Sequence, residues 1–370
     1  MTRITRWTES IGGLTVTIVA IMFLLYGADK SLASLEQSEL RSEAHNKYQS
    51  GNAHLAEGRA HEAISDLARA CALERKNREY DIALATAQIA DRQLEAADET
   101  LNDVLQHDSN DSRANLLMAR IMAAQKQYAE ADSYYHRAIY GSWVKDAEHS
   151  SVEARLELVD FLANHGTPKE LLADLLPLEG EAQINRGFAR KLPGLFLRAG
   201  SLNRAEEAYR SLIKQQPDDV EAYSGLARAE LISGNYQAAQ LAFTDALRRK
   251  PGDPTLVQWR ATSGKVMALD PTPRRLPSSE KYRRSMELLA LTEDAVKSCV
   301  EGKEAPPSVQ PLLDLADRLR GEKVKGFLPN ELAEQRLDAA EKLWQARLKL
   351  CANPPEWNDA LALVMQKLAQ

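Results

Sequence analysis

The chain has little of what catalysis, metal binding or nucleic-acid binding requires. Its three cysteines, Cys71, Cys299 and Cys351, have no metal-ligand spacing, which excludes a zinc finger or ribbon. His61-Glu62 opens like a zinc-protease motif, but Ser65 stands where the second histidine belongs. The remaining histidines (His45, His54, His107, His136, His149, His165) share no acidic partners in the sequence. There is no phosphate-cradling glycine loop and no nucleophile elbow, so no catalytic residue, metal or cofactor is expected. A net charge of −6 and an aromatic content of 6% give no footing for nucleic acid. The densest positive cluster, Arg274, Arg275, Lys281, Arg283 and Arg284, is interleaved with Glu280 and Glu287 and reads as a solvated hinge and helix face. No segment alternates at period two, which argues against sheet.

What is present is a repeat. Small residues at Ala63, Ala97 and Ala131, and again at Ala205 and Ala239, recur every 34 residues, with Leu171 filling the place once. Each stands four residues before a bulky apolar one: Leu67, Leu101, Tyr135, Leu175, Tyr209 and Phe243. Between Ala131 and Leu171 the step is 40, so an insertion around Asp146 to Ser151 separates two blocks of three units. A fixed period of this length built from paired amphipathic segments is the signature of a helical solenoid. Gly58, Gly166, Gly200 and Gly234 fall between paired segments and suit a left-handed turn residue. Pro193-Gly194 falls inside the first helix of the fifth unit, where proline predicts a kink or a late helix start.

The pattern resembles the tetratricopeptide repeat. The first-helix pairs Ser50-Gly51, Leu84-Ala85, Met118-Ala119, Leu158-Val159, Leu192-Pro193 and Leu226-Ala227 carry the likeness. So do the second-helix positions Ala70, Val104, Ala138, Leu178, Leu212 and Ala246, and the closing Pro217 and Pro251. The resemblance implies an all-α solenoid over 44–269, with units starting near 44, 78, 112, 152, 186 and 220 and a capping helix at 254–269. It also implies a groove that receives a protein or peptide partner. By register the groove presents Tyr48, Asn52, Glu79, Thr86, Arg113, Arg120, Asp160, Arg190, Arg198 and Arg228. Of the family's five-residue clamp for a terminal carboxylate, only Asn52 matches and Arg113 conserves charge, while Tyr48, Ala83 and Leu117 do not fit. The arginines point instead to acidic segments of a partner.

Residues 11–27 contain no charged side chain. At 1.5 Å per residue this stretch rises about 25 Å, close to the thickness of a hydrocarbon core. A single spanning signal-anchor helix is expected, with residues 1–10 as a short cytoplasmic terminus and 28–43 as a linker or helical extension. Arg3 and Arg6 before it place the amino terminus inside and the repeats outside, in the periplasm of a bacterial inner membrane. Cleavage near Ala33, which leaves a soluble secreted binding protein, is the competing reading.

Beyond the repeats, the three prolines of 270–278 mark a hinge. A small helical module then fills 279–370, with Ser278 or Ser279 as a helix cap and further helices over 308–319, 330–351 and from Pro355 on. It packs on the end of the solenoid or folds beside it. Cys71 reads as a core residue, and Cys299 and Cys351 are a candidate disulfide in an oxidising compartment. Together these features predict a membrane-anchored scaffold in envelope assembly or secretion. An accessory regulatory subunit of an enzyme is the remaining alternative.

Overall fold

The computed structural model describes the backbone of residues 4–144, 146–183, 185–300, 305–322, 330–351 and 359–369, together with few side chains before residue 34. Among these residues the chain is helical throughout, with no strand and one isolated parallel bridge, Asp111 to Ser142. It divides into two compact units, residues 1–161 and 162–370.

The first unit opens with α1 (Ile4–Ala56), one uninterrupted helix in which 28–43 continues the apolar stretch without a break. Ser34 to Glu43 are exposed, and Ala44 is the first residue packed against the repeats. Helix α2 (Ala60–Leu73) completes the first hairpin, followed by α3 (Arg78–Ala90) with α4 (Leu94–His107), then α5 (Ser112–Ala124) with α6 (Tyr128–Tyr140). Helix α7 (Ala147–His165) begins in this unit and ends in the next. The second unit continues with α8 (Pro168–Leu175), α9 (Arg186–Arg198), α10 (Leu202–Gln215), α11 (Val220–Ile232), α12 (Tyr236–Arg249) and α13 (Pro254–Leu269). It closes with α14 (Ser278–Cys299), α15 (Gln310–Gly321), α16 (Asn330–Leu350) and α17 (Ala360–Leu368).

The 34-residue register is physical at three recurring places. First helices start on side-chain caps: Asn77, Asp111, Asn185, Asp219 and Asp253 each accept a hydrogen bond from a backbone N–H of the first turn. Second-helix small and bulky positions are all buried, from Ala63, Leu67 and Ala70 to Ala239, Phe243 and Ala246. The turns between paired helices close by a backbone bond from the residue after the left-handed one: Arg59 N to His54 O, Gln93 N to Gln88 O, Gln127 N to Met122 O, Ser201 N to Phe196 O and Asn235 N to Glu230 O, all 2.8 to 2.9 Å. That geometry needs positive φ, which Gly58, Gly200 and Gly234 supply at 76°, 70° and 77°. Arg92 and Lys126 hold the same place at 62° and 63° despite their side chains, a conformation that costs about 1–2 kcal/mol outside glycine. Gly166 is not left-handed, contrary to its reading as a turn glycine. There Thr167 opens α8 with a capping box and Pro168 fills the first helical position, so the turn is closed from the following helix.

Two local expectations need correction. Helix α9 starts at Arg186 rather than late, because the Asn185 cap nucleates it and buried Pro193 contributes apolar contact where its N–H is missing. The 40-residue step is divided between a loop after Tyr140 and an early start of α7, which begins at Ala147 ahead of Ser151. The loop is pinned where Ser142 N donates to Asn110 O at 2.8 Å and Ser112 N donates to Ser142 O at 3.3 Å. Any side chain at Gly141 would place its Cβ 2.5 Å from Asn110 O.

In the second unit the carboxy-terminal helices pack on the last hairpin, sharing one core with it from Ala227 and Phe243 through Trp259 and Leu289 to Trp344 and Met365. The Tyr236 hydroxyl donates to Leu363 O at 3.2 Å. Lys367 Nζ donates to Gly234 O at 3.2 Å and to Asp270 Oδ2 at 2.9 Å, and lies 4.6 Å from the Tyr236 ring centroid. Among the described residues of this module, Glu293 and Arg336 are buried charged groups. Glu293 is held by Lys297 and by Arg320 at 2.8 Å. Burial works against its ionisation, but these cations more than offset it and keep its carboxyl below the usual range. Arg336 donates twice to Leu319 O, at 3.0 and 2.8 Å, and sits 4.4 Å over the Tyr282 ring. Cys299 and Cys351 are joined as a disulfide with Cα atoms 5.3 Å apart. Pro277, not Ser278 or Ser279, occupies the cap position of α14, and no side chain caps it. The helix start at Pro355 lies outside the described residues.

No helix among the described residues is long and apolar enough to cross a membrane. Within 11–27 only Met22 and Tyr26 have described side chains, both exposed. The backbone of the expected spanning segment is helical, and its side chains lie largely outside the described residues.

Candidate peptide-binding groove

One register position organises the first unit. Tyr48, Ile82, Leu116 and Leu156, the fifth residues of successive repeat units, carry an apolar row across α1, α3, α5 and α7. Ile82 is buried and the other three are half-buried, so the row is open to contact along part of its surface. One flank is His45, Glu79, Arg113 and Glu153; the other is Asn52, Thr86, Arg120 and Asp160. Two cavities lie along the row. One, of about 420 Å³, is lined by Glu79, Ile82, Arg113 and Val144 among others. The second, of about 400 Å³, is lined by Leu116, Arg120, Trp143, Glu153, Leu156 and Glu157 among others.

The flanking charges are tied to one another. Glu79 Oε1 accepts from Arg113 Nη1 at 3.1 Å and from the Tyr48 hydroxyl at 3.5 Å, while the Tyr48 ring stacks on Tyr80 at 4.8 Å. Arg120 donates from Nε and Nη2 to the two oxygens of Glu157, both at 2.8 Å. The Tyr135 hydroxyl donates to Glu157 Oε1 at 2.9 Å. Burial, and then the Glu157 charge, push the Tyr135 hydroxyl pKa well above its ordinary value. The hydrogen bond to Glu157 raises that of Arg120. Thr86 is turned back onto its own helix, donating to Ile82 O at 2.7 Å.

Seven of the ten residues read from the sequence stand in this unit: Tyr48, Asn52, Glu79, Thr86, Arg113, Arg120 and Asp160. The structure links Tyr48, Glu79 and Arg113 through one carboxylate oxygen. Arg190, Arg198 and Arg228 fall in the second unit and form no such row. Arg190 binds Asp219 Oδ2 at 3.0 Å, and Arg198 donates to Ala163 O at 3.2 Å. Arg228 faces Tyr209, whose hydroxyl burial shifts upward and Arg228 shifts down. The position that carries Leu116 and Leu156 in the first unit is Arg190 and Ser224 in the second. The cavity beside Arg190, about 680 Å³, is lined by polar residues such as Gln216, Asp218 and Glu221. Of the arginines read as facing acidic segments of a partner, Arg113, Arg120 and Arg190 are matched with carboxylates of the same chain.

Sequence reading missed Ile82, Leu116, Leu156 and Glu157, and the insertion residues Trp143 and Val144. The row was within reach, since it is Tyr48 carried forward at the repeat spacing. Outside the groove, Cys71 is half-buried, and burial, followed by the nearby Asp81 charge, pushes its thiol up to about 12, leaving it unreactive. Three cations of the basic cluster after the repeats are matched internally, Lys281 with Glu334, Arg283 with Glu280 and Glu287, and Arg284 with Glu280 and the Asp270 carbonyl, while Arg274 and Arg275 are exposed.

Two tetratricopeptide-repeat family models match the chain, one over residues 54–121 and one over 195–254. Tetratricopeptide repeats are thus present in both units. No curated protein matches. Among solved structures the chain is similar to YrrB, described as a TPR protein with an unusual peptide-binding site, at 15% identity over 53% of this chain and 97% of that one, with a TM-score of 0.44. It is also similar to PilF of Pseudomonas aeruginosa, at 16% identity over 69% and 93% of the two chains, TM-score 0.29. A third is the TPR2AB domain of yeast Sti1 in complex with pHSP90, at 18% identity over 83% and 99%, TM-score 0.29.

Proposed function

We propose that this chain is a protein-binding repeat scaffold whose first unit receives an extended segment of a partner polypeptide. The observation that carries the reading is the open apolar row Tyr48, Ile82, Leu116 and Leu156 between two polar flanks. Partly exposed apolar surface rimmed by polar groups is what a binding groove presents. The chemistry is adhesion, since the flanking charges hold one another rather than a reacting group.

On this reading residues 11–27 anchor the scaffold in a membrane, with the repeats on the outer side of a bacterial inner membrane, where it gathers partners in envelope assembly or secretion. The uncharged run and the arginines before it support the anchor. The disulfide fits an oxidising compartment. A photo-crosslinking side chain at Leu116 or Leu156, introduced in intact cells, is expected to capture a discrete polypeptide partner, whereas the same label at Ser224 captures none. Equal yields from both positions would remove the groove from the proposal. A topology reporter fused after Gln370 that is active only in the cytoplasm would overturn the orientation.

A further inference from the structure

The insertion after Tyr140 places two residues along the groove. Val144 lines the cavity with Ile82, and its neighbour Trp143 lines the cavity with Leu116 and Leu156. The loop holds this position through the Ser142 bridge and the close seat of Gly141 against Asn110 and Arg137 carbonyls. The indole Nε1–H of Trp143 is buried and has no acceptor among the described residues, so it is a donor that a peptide carbonyl can satisfy after a small turn of the ring.

Charge distinguishes the two cavities. Around Ile82 the carboxylates Glu74, Glu79 and Asp111 are balanced by Lys76, Arg78 and Arg113. Around Trp143 the cavity holds Glu153 and Glu157 against Arg120 alone, and Arg120 and Glu157 are consumed by each other. The surplus is the Glu153 carboxylate, whose partner is the exposed His149, 3.2 Å away. An aromatic face beside a surplus carboxylate is suited to a cationic side chain, through cation–π attraction and a charge-assisted hydrogen bond.

Resting on the groove reading above, we propose that the inserted loop is a clamp for a basic, extended peptide. A Lys or Arg side chain lies between Trp143 and Glu153, and apolar side chains of the same peptide lie on Ile82 and Leu116. Packed helices stand about 8–10 Å apart, and a peptide in polyproline II geometry rises about 3.1 Å per residue with three residues per turn, so the apolar side chains on one face recur about every third residue.

The test is selection of random dodecapeptides displayed on phage against the full chain in detergent micelles, followed by affinity measurement on synthetic copies. Enriched peptides are expected to carry Lys or Arg flanked by apolar residues at that spacing. Trp143→Ala should weaken them by about tenfold or more, as central aromatic anchors do. Glu153→Gln should weaken them severalfold, and Lys→Glu in the peptide should abolish binding. Unchanged circular dichroism and melting midpoint show that each variant is folded. Peptides that are acidic, or that bind Trp143→Ala and Glu153→Gln as well as the parent, overturn the clamp while leaving the groove standing if Leu116→Gln still weakens them. Failure to enrich any peptide, or binding indifferent to Leu116→Gln, overturns the groove reading as well.

Discussion

The two units are made of the same hairpin and use it differently. In the first, the fifth position of each unit is apolar and left partly open, and the residues inserted after Tyr140 line the row. In the second, the same position is Arg190 and Ser224, and the apolar surface of the last hairpin is spent on α13 to α17. A solenoid must cover its end or expose it; the second unit covers its end with its own chain. A repeat thus specifies a stacking interface, while its use is set by the few positions that stacking leaves undetermined.

The comparison is broken most forcefully from the core. Leu101→Ala in the first unit should cost about 2–5 kcal/mol and Phe243→Ala in the second about 3–5 kcal/mol. Hydrogen exchange should rise mainly in the unit carrying the change. Uniform acceleration across both would show that they unfold as one body.

Reduction of the Cys299–Cys351 bond, or Cys299→Ser with Cys351→Ser, opens a span of 52 residues. It should lower the stability of the second unit by about 2–4 kcal/mol. Denaturant unfolding of the first unit should be unaffected by reductant, and a shift there would contradict the division.

Next come the close approaches. A Cβ at Gly225 would lie 2.2 Å from the Tyr209 ring, and one at Gly51 would lie 2.5 Å from Leu67 Cγ. Alanine at either should destabilise its own unit by about 1–3 kcal/mol, read as a fall in urea midpoint at unchanged slope.

Acid should separate the units too. Because the Glu293 carboxyl is held below its ordinary value, its contribution is complete above about pH 4.3. It is lost as pH falls through the lowered value. Between about pH 5 and pH 3, Glu293→Gln should show a smaller loss of second-unit stability than the parent. Parallel curves would remove Glu293 as a source of acid sensitivity.

The smallest effect has the opposite sign. Arg92→Gly and Lys126→Gly relieve left-handed strain in the first unit and should each raise its stability by up to about 1 kcal/mol. Gly200→Ala should lower that of the second by a similar amount. A loss on Arg92→Gly would mean that its side-chain contacts outweigh the strain.

Much of this was legible in the chain alone. Ala63, Ala97, Ala131, Ala205 and Ala239 determine a helical hairpin at a fixed spacing, because a small residue there lets the paired helices close and the requirement recurs in five of the six repeats, Leu171 taking the place in the fourth. Asn77, Asp111, Asn185, Asp219 and Asp253 repeat for an equally local reason, capping the turn that follows each. The partners of Arg120 and Arg190 were not legible. Glu157 meets Arg120 from another unit and off the repeat spacing, so which charges cancel is a property of packing. The same holds for the burial of Glu293 and Arg336, and for Trp143, whose place in a cavity depends on a backbone bridge to the loop before α5. Periodic contacts made by every unit are written in the sequence. Those made once, between residues far apart in the chain, came into being only when the helices stacked.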